Sequence, residues 1–235
     1  MNTLIDILDG QLLDGLVFCK KAYEIFELMR AEPDGIERFQ QRTSNNEKRL
    51  LDEILPICKY IQTYYRQGRY ISVCWENGSQ KPDAKLSQRG ELITQGYYEE
   101  SAYLEVTSAM HPNEHYTWEL LRAGNIVYAP EGIDAEKGTP LRSEPFVFTN
   151  SEAVSNFAPF IIESIRKKSE NNYPQNTSLV IQCHLNNLYM PNEWKSLITE
   201  VESKVISTPF NEILIIDSLT GRASPLAICT DHTKT

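Results

Sequence analysis

Apolar residues recur near helical spacing through residues 2–31, at Leu12, Leu13, Leu16, Val17, Ala22, Ile25, Phe26 and Met29, until Pro33-Asp34-Gly35 ends the run. That spacing predicts an amphipathic helical leader. Ser44, Asn45 and Asn46 offer caps for a second helix over about 46–66, with Leu50, Leu51, Ile54, Leu55, Cys58 and Ile61 on one side and Pro56 as a bend. The pattern then turns to β-formers in Tyr70-Ile71-Ser72-Val73-Cys74-Trp75, directly followed by the hairpin dipeptide Asn77-Gly78. A return strand over Lys81–Leu86 follows, its proline near the start, and Ser101–Ala109 reads as a third strand. A short helix is expected over about Asn113–Arg122, then an irregular loop over 124–149 carrying Pro130, Gly132, Gly138, Pro140 and Pro145. Helical period returns over Ser151–Lys168, with Val154, Phe157, Phe160, Ile161 and Ile165 on one face. Two apolar strands, Ser178–Leu185 and Glu212–Asp217, flank a helix over about Asn192–Ile206, a β-α-β unit that predicts parallel strands in one sheet.

Composition narrows the class. With 235 residues and 41% hydrophobic residues the chain can bury a sizeable core without a disulfide or metal staple. Five scattered cysteines (Cys19, Cys58, Cys74, Cys183, Cys229) include no CxxC pair, and Asp6 and Asp9 stand where a signal peptide would carry cations. Reduced thiols, a cytoplasmic location and no membrane partner are therefore expected. A net charge of -9 argues against a protein that holds nucleic acid by a broad basic surface. A duplex substrate would then need a local basic groove or a second subunit, which leaves a homo-oligomer open.

The acidic excess is also local, because Gly90–Leu121 contains six carboxylates (Glu91, Glu99, Glu100, Glu105, Glu114, Glu119) and no Lys or Arg. Strand alternation sets Tyr103, Glu105, Thr107 and Ala109 on one face, so Glu105 lies inside a strand whose neighbours are apolar. A buried carboxylate needs a cation, a proton or hydrogen-bond donors. By the same period Asp83 and Lys85 share a face of the preceding strand, so an acid from each strand can meet in one cleft beside a lysine. Such an oxygen-rich pair suits a hard cation, Mg2+ or Mn2+.

The order helix, hairpin, Pro82-Asp83 strand, Glu105-Val106-Thr107 strand, helix and β-α-β resembles the PD-(D/E)XK restriction-endonuclease-like superfamily over residues 46–217. The resemblance implies an α/β fold with a central mixed sheet flanked by helices, residues 46–235 forming that domain and residues 1–45 an N-terminal helical extension. It implies a magnesium-dependent nuclease acting on nucleic acid, with Asp83 and Glu105 holding the metal. The lysine of the family triplet is Thr107 here, and Lys85 on the neighbouring strand is the candidate for the missing charge. Loss of catalysis, leaving an interaction or regulatory protein on the same fold, is the alternative reading.

A third reading rests on His111-Pro112-Asn113-Glu114-His115, which matches the inverted zinc-peptidase pattern H-x-x-E-H. Pro112 sets His111 at a helix cap rather than inside the helix. Either His111 or His115 would otherwise serve as a proton carrier or phosphate contact beside Glu105. No phosphate loop, GxGxxG or nucleophile elbow is present. Arg166-Lys167-Lys168 reads as a cationic helix end that complements the dipole.

Overall fold

The computed structural model describes residues 4–78, 81–136, 139–185, 190–205 and 207–227. Its strands are β1 (Leu13–Asp14), β2 (Tyr70–Trp75), β3 (Ala84–Arg89), β4 (Ser101–Ala109), β5 (Ile133–Asp134), β6 (Arg142–Ser143), β7 (Thr177–Cys183), β8 (Ile213–Asp217) and β9 (Ala223–Pro225). Its helices are α1 (Gly15–Arg30), α2 (Gly35–Gln41), α3 (Asn45–Arg49), α4 (Leu55–Tyr64), α5 (Glu91–Thr94), α6 (Glu114–Arg122), α7 (Asn150–Ser169) and α8 (Pro191–Glu202). Seven strands form one mixed sheet in the order β1-β2-β3-β4-β7-β8-β9, while β5 and β6 form a separate two-stranded ribbon. The strands β1 to β4 pair antiparallel, β4, β7 and β8 run parallel, and β9 closes the far edge antiparallel. The chain is thus an α/β protein whose central mixed sheet is flanked by helices.

Each face of the sheet has its own core. Phe18, Ala22 and Ile25 of α1 and Ile57, Tyr60 and Ile61 of α4 pack on Ile71, Val73, Leu104 and Val106. On the other face, Val154, Phe157, Ala158, Ile161 and Ile165 of α7 and Trp194, Leu197 and Val201 of α8 cover Leu179, Ile181, Ile213 and Ile215. The strands β7 and β8 are buried along their whole length, as expected for parallel strands covered on both faces. Their β-α-β connection is the one the apolar pattern predicts, and β4 has the predicted bounds.

Three predicted elements differ, each for a local reason. The leader helix starts at Gly15 rather than near residue 2, because the chain first makes a 3-10 turn (Leu4–Ile7) and the short strand β1. Asp14 caps α1 by accepting the Leu16 N–H at 3.0 Å. A Cβ on Gly15 would lie 2.7 Å from the Ile71 carbonyl oxygen, so only glycine lets the helix start sit this close to β2. The buried stripe is Phe18, Cys19, Ala22, Ile25 and Met29, while Leu12, Leu16 and Val17 face solvent. In the second helical region a Ser44–Glu47 capping box opens α3. A π-helical turn over Leu50–Ile54 then precedes Pro56, which sits in the first turn of α4. There its missing N–H is tolerated. The return strand begins at Ala84, with Pro82 ahead of the ladder rather than in it. The end of the predicted 192–206 helix at Ile206, and Cys229, lie outside the described residues; Cys19, Cys58, Cys74 and Cys183 are free thiols. No helix among the described residues is long and apolar enough to cross a membrane.

Candidate functional site

The site forms where two strands part. The β3–β4 ladder has its last pair at Ala84 and Leu104. One residue further out, the Asp83 side chain takes over from the backbone, and its Oδ2 accepts the Val106 N–H at 2.7 Å. An amide that would otherwise lack a partner at the fork is satisfied, and the carboxylate is held in one place.

Glu105 is the neighbour of Val106 and projects to the opposite face of β4 from Leu104, towards α7. It is only 2% exposed. Lys168, in the last turn of α7, donates its Nζ to Glu105 Oε1. The second carboxylate oxygen, Oε2, is buried with no hydrogen-bond partner among the described residues, and so is the Tyr173 hydroxyl. A buried, unpartnered carboxylate oxygen costs free energy and marks a place for a cation or donor.

The electrostatics of the group follow from this crowding. Burial, and then the Glu105 charge, push the Asp83 carboxyl up from 3.8 to about 7; Glu53 adds to the rise, while the Val106 amide and Lys168 oppose it. Glu53, in the π-helical turn before α4, accepts from Trp75 Nε1 at 3.2 Å and from Arg49, and burial holds its pKa above the usual range. Burial, the Glu105 charge and hydrogen bonding to Glu105 also raise the Tyr173 phenol, which places its hydroxyl beside that carboxylate even though the two do not form a well-aligned bond. Two carboxylates, a third at their margin, one ammonium and a phenol therefore share one region with more negative charge than positive.

Of the residues singled out from sequence, Asp83 and Glu105 lie close enough for one charge to raise the other's pKa. Thr107 follows on the same β4 face as Glu105, partly buried opposite Ile181 of β7. Lys85 lies opposite Tyr103 and so shares that face, but α7 does not cover β3. Its side chain is 58% exposed and pairs with Glu76 at 2.6 Å, away from Glu105. His111 accepts the Asn113 N–H on Nδ1 at 3.1 Å and sets its ring edge-on to Phe160. His115 is exposed, its Nδ1 is 2.7 Å from the Pro112 carbonyl oxygen, and its ring lies on Tyr116. Glu114 is buried at the start of α6, its Oε2 unpartnered among the described residues. Glu91, Glu99, Glu100 and Glu119 are exposed, so the acid-rich run is a solvated surface except at Glu105 and Glu114.

Three members escaped the sequence reading: Lys168, Glu53 and Tyr173, the last in the connection between α7 and β7, where no period marks it. Lys168 reads as one of three cations at a helix end, yet Arg166 and Lys167 pair with Glu163 on the helix surface while Lys168 turns inward. The available signal was its phase: Lys168 lies three residues after Ile165 and seven after Ile161, continuing the buried stripe of α7. Glu53 sits one place before the buried Ile54 and carries no motif.

No group of three or more His, Cys, Asp or Glu among the described residues is arranged to hold a metal ion. Asp83 and Glu105 are a two-carboxylate set, which is what magnesium commonly takes from a protein while keeping several waters. The unpartnered Oε2 of Glu105 fits such an ion. No protein-family model, curated protein or solved structure matches the chain.

Proposed function

We propose that the chain is a metal-dependent phosphodiesterase of the restriction-endonuclease-like type, with its site at Asp83, Glu105 and Lys168. The observation that carries this reading is the pairing of a strand-end aspartate with a mid-strand glutamate that keeps one buried oxygen unpartnered. Asp83 and Glu105 would hold Mg2+ or Mn2+. The bound ion would supply Lewis-acid polarisation of a phosphoryl oxygen. Val106 fixes Asp83, Lys168 orients Glu105 and provides the positive charge that Thr107 cannot, and the Tyr173 phenol stays protonated beside them. Lys168 rather than Lys85 is the lysine of this reading, because only Lys168 touches a site carboxylate.

The Lys168–Glu105 ion pair also supports a second reading, in which the lysine stands permanently in place of a cation and the fold serves as a metal-free interaction module. Cleavage assays separate the two. Single- and double-stranded DNA and RNA are incubated with Mg2+ or Mn2+ and the wild-type, Asp83→Asn or Glu105→Gln protein. Metal-dependent cleavage that falls at least 100-fold in both variants, the order of loss when a charge-stabilising group is removed, supports the nuclease. Cleavage that survives both substitutions refutes the site. Absence of cleavage together with absence of Mn2+ binding favours the module.

A further inference from the structure

A second constellation lies at another end of the sheet, where β2, β4, β7 and β8 begin and β3 ends. Arg69, immediately before β2, is 1% exposed, and its guanidinium is held from four directions. It donates Nε to Gln88 at 2.8 Å, Nη1 and Nη2 to the two Glu212 oxygens at 3.0 Å each, and Nη2 to the Tyr60 hydroxyl at 3.1 Å. Its Cζ lies over two rings, 3.6 Å from the Tyr98 centroid and 5.0 Å from that of Tyr64. Tyr98 is itself anchored by Arg66, which donates to its hydroxyl at 3.0 Å.

This fixed stack walls a cavity of about 730 Å³. That size is within the range of small-ligand sites, roughly 300 to 1,000 Å³. Its lining chemistry narrows the occupant. The charged groups are Arg69 against Glu99 and Glu212. Arg69 is already neutralised by Glu212, so among the described residues no free cation lines the cavity for a phosphate or carboxylate. What it offers instead is flat aromatic surface and amides. Tyr97, 70% exposed, extends the tyrosine surface at Tyr98 into the open side. Asn211 Nδ2 donates to Asn176 Oδ1 at 3.1 Å, which leaves the donor Asn176 Nδ2 and the acceptor Asn211 Oδ1 uncommitted among the described residues. The Asn176 backbone is held left-handed at φ 63°, so this amide is presented by a constrained turn rather than a free loop.

We infer that this cavity binds a nucleobase. Tyrosine faces select a flat, uncharged ring, and every base has one; the paired amides select a ring with a donor and an acceptor on one edge. The site is built from residues other than those of the Asp83 group and does not depend on their chemistry. The four ribonucleosides, which carry the base without phosphate, are titrated into the full chain by calorimetry and by saturation-transfer NMR, with methyl glucoside as the puckered-ring comparison. Saturable binding of at least one nucleoside is expected. Tyr97→Ala, at an exposed side chain, should weaken it roughly 5- to 150-fold, the equivalent of one stacked base, and Asn211→Ala should weaken it too. Asp83→Asn should bind as wild type does, which separates this site from the proposed metal centre. Four outcomes overturn the inference: no nucleoside binds at millimolar concentration, methyl glucoside binds as well, Tyr97→Ala and Asn211→Ala both bind like wild type, or Asp83→Asn abolishes binding.

Discussion

The molecule buries two clusters of charge along one sheet and treats them in opposite ways. Around Arg69 the main groups answer one another: four hydrogen bonds tie the guanidinium to Gln88, Glu212 and Tyr60, and the Tyr98 and Tyr64 rings lie against it. Around Asp83 the accounts are left open. One oxygen of Glu105 lacks a well-formed hydrogen bond among the described residues, although the Tyr173 hydroxyl lies beside that carboxylate, and burial followed by the Glu105 charge pushes the Asp83 carboxyl up to about 7. A satisfied buried network rigidifies its surroundings, whereas an unsatisfied one stores free energy that a ligand can release.

The largest expected effect breaks the satisfied cluster. Arg69→Met preserves volume but strands Glu212 and Tyr60, and removing one partner of a buried pair costs about 3–5 kcal/mol. Thermal unfolding should move down by roughly 6 to 20 °C for a chain of this size. The double variant Arg69→Met/Glu212→Leu should regain most of that loss. If Arg69→Met alone leaves the melting temperature unchanged, the network contributes nothing and the contrast fails.

The open cluster should respond with the opposite sign. Asp83 titrates at about 7 in the folded chain against 3.8 for the ordinary carboxyl. Between those values the folded state binds more protons, so this group's contribution to stability falls as pH rises from about 4 to about 7. Asp83→Asn removes the penalty, and the Asn oxygen can still accept the Val106 amide. The variant should therefore be more stable than wild type by about 1–3 kcal/mol above neutrality, with the gap closing towards pH 4. Equilibrium denaturation across that range measures it; a variant less stable at every pH would mean that Asp83 is a structural residue. Since a metal takes the ionised carboxylate, wild-type Mn2+ affinity should rise with pH through about 7.

Lys168→Met sharpens the same point. Lys168 is a group that lowers the Asp83 pKa, so its loss should raise that pKa further and shift the pH dependence of Mn2+ binding upward. Under the nuclease reading cleavage falls by about 100-fold or more as well, because a charge beside the reacting group is lost. An unchanged pH profile would show that Lys168 acts only as a packing residue.

How much of this was legible beforehand depends on whether a residue obeys a local period. The strands β7 and β8 were, because burial on both faces writes itself as runs of Val, Ile and Leu, and so were β2 and β4, whose β-formers alternate with polar residues; Asn77-Gly78 falls in the connection between Trp75 and Ala84, which is longer than a two-residue turn. Asp83 and Glu105 were legible as a pair by strand alternation alone. The strand β1 was not: two residues carry no pattern, and Leu12 beside it blends into the helical spacing. Arg69 was not legible either, since its burial depends on Glu212, which lies 143 residues away. Lys168 stood between these cases, with a phase on α7 that placed it inward but a neighbourhood of surface cations that disguised it.

The smallest expected effect concerns the other lysine. Alternation correctly sets Lys85 on the same sheet face as Glu105, and period alone cannot say more. Coverage decides the rest, because α7 lies over β4, β7 and β8 but leaves β3 to solvent, and there Lys85 meets Glu76 instead. An exposed ion pair of this kind contributes little to folding. Lys85→Ala should accordingly leave the melting temperature, the pH profile of Mn2+ binding and any cleavage rate at their wild-type values. The paired comparison with Lys168→Met, made in one preparation, is the informative measurement. If Lys85→Ala rather than Lys168→Met shifts the Mn2+ profile, the missing charge comes from the strand, and the ion pair to α7 is only a clasp between helix and sheet.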